Sequence, residues 1–326
     1  MSNIHAIRFA ATGGPEVLQW QAVEPGQPGP GEARVAHRAV GLNYIDTYHR
    51  SGLYPLPLPS GLGLEAAGVV EAVGEGVADI AAGDRVAYAG GPVGAYSQAR
   101  LMPADRLVKL PAAISFEQGA AMMLQGMTAQ YLLRRTYRVQ PGDTILIHAA
   151  AGGVGLIVCQ WAKALGATVI GTVGSEAKAD LARAHGCDHP IVYTREKFAD
   201  RVREITGGAG LPVVYDSIGK DTFPASLDCL QPRGMFVLFG AASGPVPPFD
   251  LGLLAQKGSL YATRPTLFTY AATRPELAAM ADEMFGLVRA GRIVSEPRQR
   301  FALRDAAGAH LALEARGTVG ATILVP

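Results

Sequence analysis

From Pro141 onward, short apolar runs alternate with amphipathic ones at a regular interval. Residues 144–148 form a largely apolar run, the pattern of a strand covered on both faces. Gly152, Gly153 and Gly155 open the next segment, in which Val154, Ile157, Val158, Trp161, Ala162 and Leu165 recur at intervals of three and four. That spacing predicts one face of a helix, which Gly166 is placed to end. The alternation continues with predicted strands at 167–172, 190–193, 211–215 and 235–239, and with helices near 178–185, 196–206 and 224–230. Strands alternating with helices through right-handed crossovers build a parallel, doubly wound sheet.

Ahead of this region, between residues 4 and 124, apolar runs are broken every few positions by Gly, Pro or Asp. Residues 33–40, 68–73 and 85–89 read as strands of a mostly antiparallel β domain. Turn signals stand at Gly13-Gly14-Pro15, Pro28-Gly29-Pro30-Gly31 and Gly83-Asp84. Residues 53–59 carry three prolines in seven positions, which excludes a central strand and predicts a stiff loop lining a cleft. Residues 116–135 read as helical. After Ser259 the pattern changes again, to a strand at 260–263, a long helix near 275–290 and short terminal strands ending at Val325. The expected class is α/β. A mostly-β domain of residues 1–125 and 265–326 receives a doubly wound domain of residues 126–264 as an insert.

Strand, glycine turn and helix make the first half of a dinucleotide-binding unit. Glycine admits the backbone close to a pyrophosphate, and the helix N-terminus supplies unpaired N–H groups. In the pattern G-x-G-x-x-G, Gly152 and Gly155 take the second and third places and Ala150 the first. A βα turn without a nucleotide is the alternative. NAD-specific units carry a carboxylate near the end of the second strand for the ribose 2′-hydroxyl. Here Val173 stands at that place, followed by Gly174, Ser175 and Lys178. A backbone amide, a hydroxyl and a cation suit a 2′-phosphate, so NADPH is expected over NADH. For Lys178 the alternative is a solvated helix lysine.

Composition narrows the field. The 326 residues leave room for two domains, and the net charge of +1 provides no basic field for nucleic acid or an anionic membrane as main partner. No apolar run is long enough to span a bilayer and the first residues lack a signal-peptide core, so a cytoplasmic location is expected. Cys159, Cys187 and Cys229 lie far apart in sequence, which suggests neither a disulfide framework nor a metal knuckle. Cys159 is expected to pack beside the first helix's apolar face.

Seven stretches form a collinear set: GGPEVLQ at 13–19, GLNYIDTYHRSGLYP at 41–55, LPSGLGLEAAGVVEAVG at 58–74, GDRVAYA at 83–89, AAAGGVGLIVCQWAKALGA at 149–167, VVYDSIG at 213–219 and QKGSLYATRP at 256–265. By that set the chain resembles, over essentially its whole length, the zinc-free quinone oxidoreductases of the medium-chain dehydrogenase/reductase superfamily. The resemblance implies a GroES-like catalytic domain, a Rossmann cofactor domain, NADPH as hydride donor and a homodimer, for which the strand at 235–239 and its neighbours offer edge pairing. Zinc-dependent members carry Cys, His and Cys at places held here by Asn43, Leu64 and Leu124, none of which replaces a thiolate or imidazole. Glu65 alone does not make a zinc site, and no metal is expected. His5, His37 and His49 are read as surface or hydrogen-bonded core groups.

The same resemblance implies cofactor contacts at Asn43, Tyr131, Gly153, Val154, Ser217, Phe239, Gly240, Arg264 and Arg316, and it places Tyr193 beside the adenosine phosphate. It sets Asn43, Tyr48 and Tyr54 in the active-site loop, Asn43 as an amide donor near the nicotinamide and the tyrosines as hydroxyl donors or stacking surfaces. Cleft-lining tyrosines without chemical duty are the alternative. The implied activity is NADPH-dependent reduction of quinones, by hydride or by single electrons. A reductase of α,β-unsaturated aldehydes, ketones or enoyl thioesters is the rival within enzymes. A structural or RNA-binding role is the rival outside them, and the near-neutral charge argues against it.

Overall fold

In the computed structural model, which describes residues 4–326, the chain falls into two units. One holds the described residues up to Met127 with Ala271–Pro326, the other Thr128–Tyr270. The first stretch runs β1 (Ile4–Phe9), β2 (Gln19–Val23), β3 (Glu32–Leu42), α1 (Tyr44–Ser51), β4 (Ser60–Gly61), β5 (Glu65–Val73), β6 (Arg85–Ala89), β7 (Ala99–Pro103), β8 (Val108–Lys109) and α2 (Phe116–Tyr131). Then come β9 (Thr144–Ile147), α3 (Gly153–Ala164), β10 (Thr168–Val173), α4 (Glu176–Ala184), β11 (His189–Val192), α5 (Phe198–Ile205) and β12 (Leu211–Asp216). The second unit ends with α6 (Ala225–Asp228), β13 (Leu230–Leu238), α7 (Gly252–Gln256), β14 (Tyr261–Thr263) and α8 (Leu267–Tyr270). The return is made by α9 (Arg274–Arg289), β15 (Pro297–Ala302), α10 (Ala306–Glu314) and β16 (Ala321–Val325).

In the first unit a seven-stranded sheet runs β15-β16-β3-β5-β6-β8, with β7 also on β3, and a small sheet runs β2-β1-β4. Only the β15–β16 pair of the larger sheet is parallel. Along β3 the buried Ala33, Val35 and His37 alternate with more exposed Arg34, Ala36 and Arg38, the pattern of a strand with one covered face. Of these, Ala33 and Val35 join Phe9, Val70, Tyr88, Tyr96, Met102 and Leu324 in the core. The last strand closes the unit, pairing Thr322–Leu324 against Leu42–Val40 of β3.

In the second unit six strands lie parallel in the order β11-β10-β9-β12-β13-β14. Ile145, Leu146 and Ile147 on the central β9 are fully enclosed, as covering both faces requires. The order reverses between β9 and β12, the switch point where such sheets open a ligand crevice at their carboxyl ends.

Three expectations need adjusting. The junctions expected at 125/126 and 264/265 fall at 127/128 and 270/271. The first lies inside α2, where no turn marks it. The second follows α8, whose Tyr270 ring stacks on Tyr131 at 4.7 Å and stays with the second unit. The helix expected over 116–135 ends at Tyr131 and widens into a π-helical turn at Leu132–Thr136, where the Leu132 carbonyl also accepts from Tyr215 Oη at 3.1 Å. The strand 235–239 is not an edge, because β13 is flanked by β12 and β14. The edge on that side is β14. Among the described residues no helix is long and apolar enough to cross a membrane.

Candidate active site

Asn43 sits between the end of β3 and the start of α1, with extended backbone angles (φ −132°, ψ 155°). Its backbone N–H donates to Asp46 Oδ2 at 2.9 Å, so Asp46 closes the helix start from within. The Asn43 side chain is thereby left for other work. Its Nδ2 donates to Glu65 Oε2 at 2.6 Å, and its Oδ1 accepts from Gln125 Nε2 at 3.1 Å. Glu65 Oε1 accepts from the backbone N–H of Leu124 at 2.7 Å. Glu65 and Asp46 are both fully buried. Burial pushes Glu65 up to about 8 and Asp46 up to about 7, with their hydrogen-bond donors pulling back in each case.

Behind Asp46 runs a chain of buried groups. Tyr96 Oη lies 3.0 Å from Asp46 Oδ2 and 3.1 Å from His310 Nε2, and Arg50 Nη1 donates to His310 Nδ1 at 3.1 Å. Arg50 also holds Glu314 through two bonds of 2.6 and 3.0 Å. Burial, with Arg50 adding to it, drives His310 down to about 3, so the ring is neutral. With Nδ1 accepting, the ring proton is on Nε2 and the donors run His310 to Tyr96 to Asp46.

Tyr48, on α1, is buried and meets Tyr54 edge-on at 5.1 Å. His49 meets the same Tyr54 ring at 6.2 Å. The histidine is buried, and its Nδ1 is enclosed with no hydrogen-bond partner. His37 is the hydrogen-bonded core group expected, held between the Ser97 carbonyl (2.7 Å) and Tyr88 Oη (3.0 Å), and burial lowers it to about 4. His5 stacks on Trp20 at 5.2 Å.

The three places that carry zinc ligands in metal-dependent relatives do not fit zinc here. Asn43 spends its amide on Glu65 and Gln125, Leu64 and Leu124 present hydrocarbon, and Leu124 contributes only its backbone N–H, to Glu65. Among the described residues no group of three or more His, Cys, Asp or Glu is arranged to hold a metal ion.

In the second unit the expected cofactor residues gather at the carboxyl ends of the parallel strands. After β9 the chain turns through Ala149 (φ 55°), and Gly152 stands as the residue before α3, whose first turn holds Gly153, Val154 and Gly155. A methyl group at Gly155 would overlap the Ala149 carbonyl oxygen, so the helix start needs glycine there. Ala150, in place of the first glycine, is fully buried, and its Cβ faces Gly171 of β10, where a second Cβ would come within 2.5 Å. The small residue has moved from the turn to the neighbouring strand.

After β10, Ser175 caps α4 by accepting from the Lys178 N–H at 3.4 Å, and Tyr193, at the end of β11, lies over Gly174. Sequence reasoning passed over two neighbours: Glu176, in the first turn of α4, is paired with Arg195 at 2.6 Å. Their signal was a carboxylate one place after Ser175 and an arginine two places after Tyr193. At the ends of β12 and β13, Phe239 N–H donates to the Asp216 carbonyl at 2.8 Å. A Cβ on Gly240 would lie 2.6 Å from the Ser217 carbonyl oxygen, so these two turns close on each other. Arg264 follows β14 and acts electrostatically on the buried Tyr131. Arg316 belongs to the first unit, on the turn after α10 with φ 58°.

Beneath these turns lies a buried network that was also missed. His148 Nδ1 meets Thr172 Oγ1 at 2.9 Å, His148 Nε2 meets Ser226 Oγ at 3.0 Å, and Ser226 donates to Asp216 Oδ2 at 2.8 Å. Asp216 Oδ1 accepts from the N–H groups of Ile218 and Gly219 at 2.8 and 3.0 Å. The ends of β9, β10 and β12 are thus tied together. The signal available in sequence was one polar residue at the end of each of three apolar runs. Cys159 and Cys187, far apart in sequence, also meet as buried free thiols, and the contact with Cys187 helps push Cys159 well up.

Comparison with known proteins agrees with this layout. Residues 29–112 match the family model of the alcohol dehydrogenase GroES-like domain, and residues 153–283 that of the zinc-binding dehydrogenases. A quinone oxidoreductase of Pseudomonas aeruginosa is 61% identical over 98% of this chain and 99% of its own. A 2-haloacrylate reductase of a Burkholderia species is 50% identical over 96% of each chain. The crystal structure of Escherichia coli quinone oxidoreductase complexed with NADPH superposes with a TM-score of 0.98 at 53% identity, covering 99% of this chain and all of that one. Two domain models in this order, and near-identical architecture at this level of identity, leave one assignment: the chain belongs to the quinone oxidoreductase family of the medium-chain dehydrogenase/reductase superfamily, and is an oxidoreductase.

Proposed function

We propose that the chain reduces quinones with NADPH and without a metal. The observation that carries the cofactor choice is the end of β10, where Val173 replaces the carboxylate and Ser175 and Lys178 follow at a helix N-terminus. Bound NADPH supplies the hydride. The residues of this chain hold and orient it: the glycine turn at 152–155 admits the pyrophosphate, Ser175 and Lys178 take the 2′-phosphate, and Arg195 adds a second cation beside them. Tyr193 covers the adenosine side, and Tyr131, Ser217, Phe239, Gly240, Arg264 and Arg316 complete the contacts. Asn43 keeps one N–H beyond the bond to Glu65, and with Tyr48 and Tyr54 it offers neutral donors to the oxygen on which charge develops. The proton that completes the reduced acceptor comes from solvent.

The quinone reading draws support from the relatives' names, and the 2-haloacrylate reductase supports a second reading, reduction of an activated carbon–carbon double bond. Both need the same donor set. We extend the proposal to a homodimer built on the open edge of β14, where Tyr261 is 59% exposed. The deciding experiment follows cofactor oxidation with p-benzoquinone, with NADPH and NADH in parallel and a chelator present. Chelator-insensitive turnover with NADPH is expected. Equal rates with both cofactors would remove the phosphate site, and turnover of 2-alkenals without quinones would select the second reading.

A further inference from the structure

Buried amides almost always end on a partner. The chain at Asn43 does not. Asn43 Nδ2 donates to Glu65 at 2.6 Å and Gln125 Nε2 donates to Asn43 at 3.1 Å, while Gln125 Oε1, at the far end, is enclosed with no hydrogen-bond partner. A carboxylate at one end draws every donor toward itself and leaves a bare acceptor at the other.

We propose that Glu65 is a proton-linked positioning residue whose protonation reverses the Asn43–Gln125 amide pair. The two orientations of an amide have nearly the same shape, so each side chain turns over without displacing a neighbour. Glu65 takes one proton from solvent at Oε2, and no electron moves. The carboxyl then donates to Asn43 Oδ1, Asn43 Nδ2 donates to Gln125 Oε1, and Gln125 Nε2 takes the enclosed end place. The orphaned acceptor gains a donor, and the enclosed end of Gln125 changes from carbonyl oxygen to N–H groups, which then are the ones in want of a partner. That is the polarity a carbonyl acceptor, or the oxyanion formed from it, requires.

The surroundings favour a carboxyl that changes state. Glu65 is 0% exposed, and its charged neighbour on α1 is Asp46, of the same sign. From α2 the N–H groups of Leu124 and Met123 favour the ionised form. On β6 the Tyr88 phenol feels both Glu65 and Arg100, and between β6 and β7 the Tyr96 phenol feels both Glu65 and Asp46. β3 presents Gly41, where any side chain would overlap Glu65 Oε2. Burial is the largest influence and places the carboxyl at about 8.

The effect on turnover rests on the quinone-reductase reading, but the switch itself is read without any acceptor. In the intact protein, the side-chain amide resonances of Asn43 and Gln125 are expected to move together with a midpoint near about 8. A carboxylic C=O infrared band is expected to vanish with the same midpoint and to be missing in Glu65→Gln. In turnover, kcat/KM for p-benzoquinone should fall through that midpoint in the wild type and stay level in Glu65→Gln. Static amide resonances across that range, or an unchanged titration in Glu65→Gln, would overturn the proposal. If Glu65→Gln does not fold, the wild-type amide titration decides alone. Moving amides in a protein that reduces no quinone would support the switch and remove the functional reading instead.

Discussion

Gly41 and Glu65 constrain each other. A methyl group at position 41 would overlap Glu65 Oε2 and lie 2.5 Å from the Ala120 carbonyl, so Gly41→Ala should cost about 1–3 kcal/mol through overpacking, read in chemical denaturation. The buried carboxyls also set the pH dependence of stability. Glu65 and Asp46 bind their protons more tightly folded than unfolded, so their contribution is complete below about 4 and is lost as pH rises through about 7 and about 8. His37 and His310 act in the opposite sense, since both are lowered on folding, and their contribution is lost as pH falls from about 6.5 toward about 4 and about 3. Between about 6.5 and about 8 the carboxyls set the slope, so the melting temperature should decline over that range, less steeply in Glu65→Gln. Glu65, Asp46 and His310 did not stand out in sequence as a connected set. Glu65 and Asn43 are 22 positions apart and Tyr96 and His310 are 214 apart. Only the packing of β5, α1 and α10 brings them together.

At the scale of elements, the parallel sheet was readable because each strand is a short apolar run ending at a polar or small residue. The glycine pattern was readable only in part. Ala150 interrupts the motif, and its compensation at Gly171 lies on another strand, which no linear pattern reports. Gly171→Ala should lose about 1–3 kcal/mol, and adding Ala150→Gly should restore part of it, the remainder reflecting Cys187 Sγ at 2.8 Å from the added methyl. Equal losses in the single and double variants would deny the compensation. At the next turn, Lys178→Ala should weaken NADPH binding about tenfold to a hundredfold, the range of one charge-assisted hydrogen bond, and leave NADH binding nearly unchanged. Isothermal titration with both cofactors decides it. The helix after residue 116 was readable as far as Tyr131, but its π-helical end is met by Tyr215, which lies 83 positions away from Leu132.

For the whole molecule, the return of the chain after Tyr270 makes the first unit discontinuous, with β16 seated on β3. Truncation before Ala321 should therefore expose the edge of β3 and the apolar Ile323 and Leu324, and give insoluble protein instead of a shortened enzyme. The open edge of β14 sets the other expectation. Sedimentation at micromolar concentration should give a dimer, and Ala262→Pro, which removes a donor from a strand paired on one side only, should give a monomer that still binds NADPH.

The start of α1 has a consequence of its own. Because Asn43 starts that helix through its backbone N–H on Asp46 Oδ2 and its carbonyl on the Asp46 N–H, exchanging its amide for a thiol or a hydroxyl would cost the bonds to Glu65 and Gln125 and not those two. Chemistry and scaffolding are assigned to different side chains three positions apart.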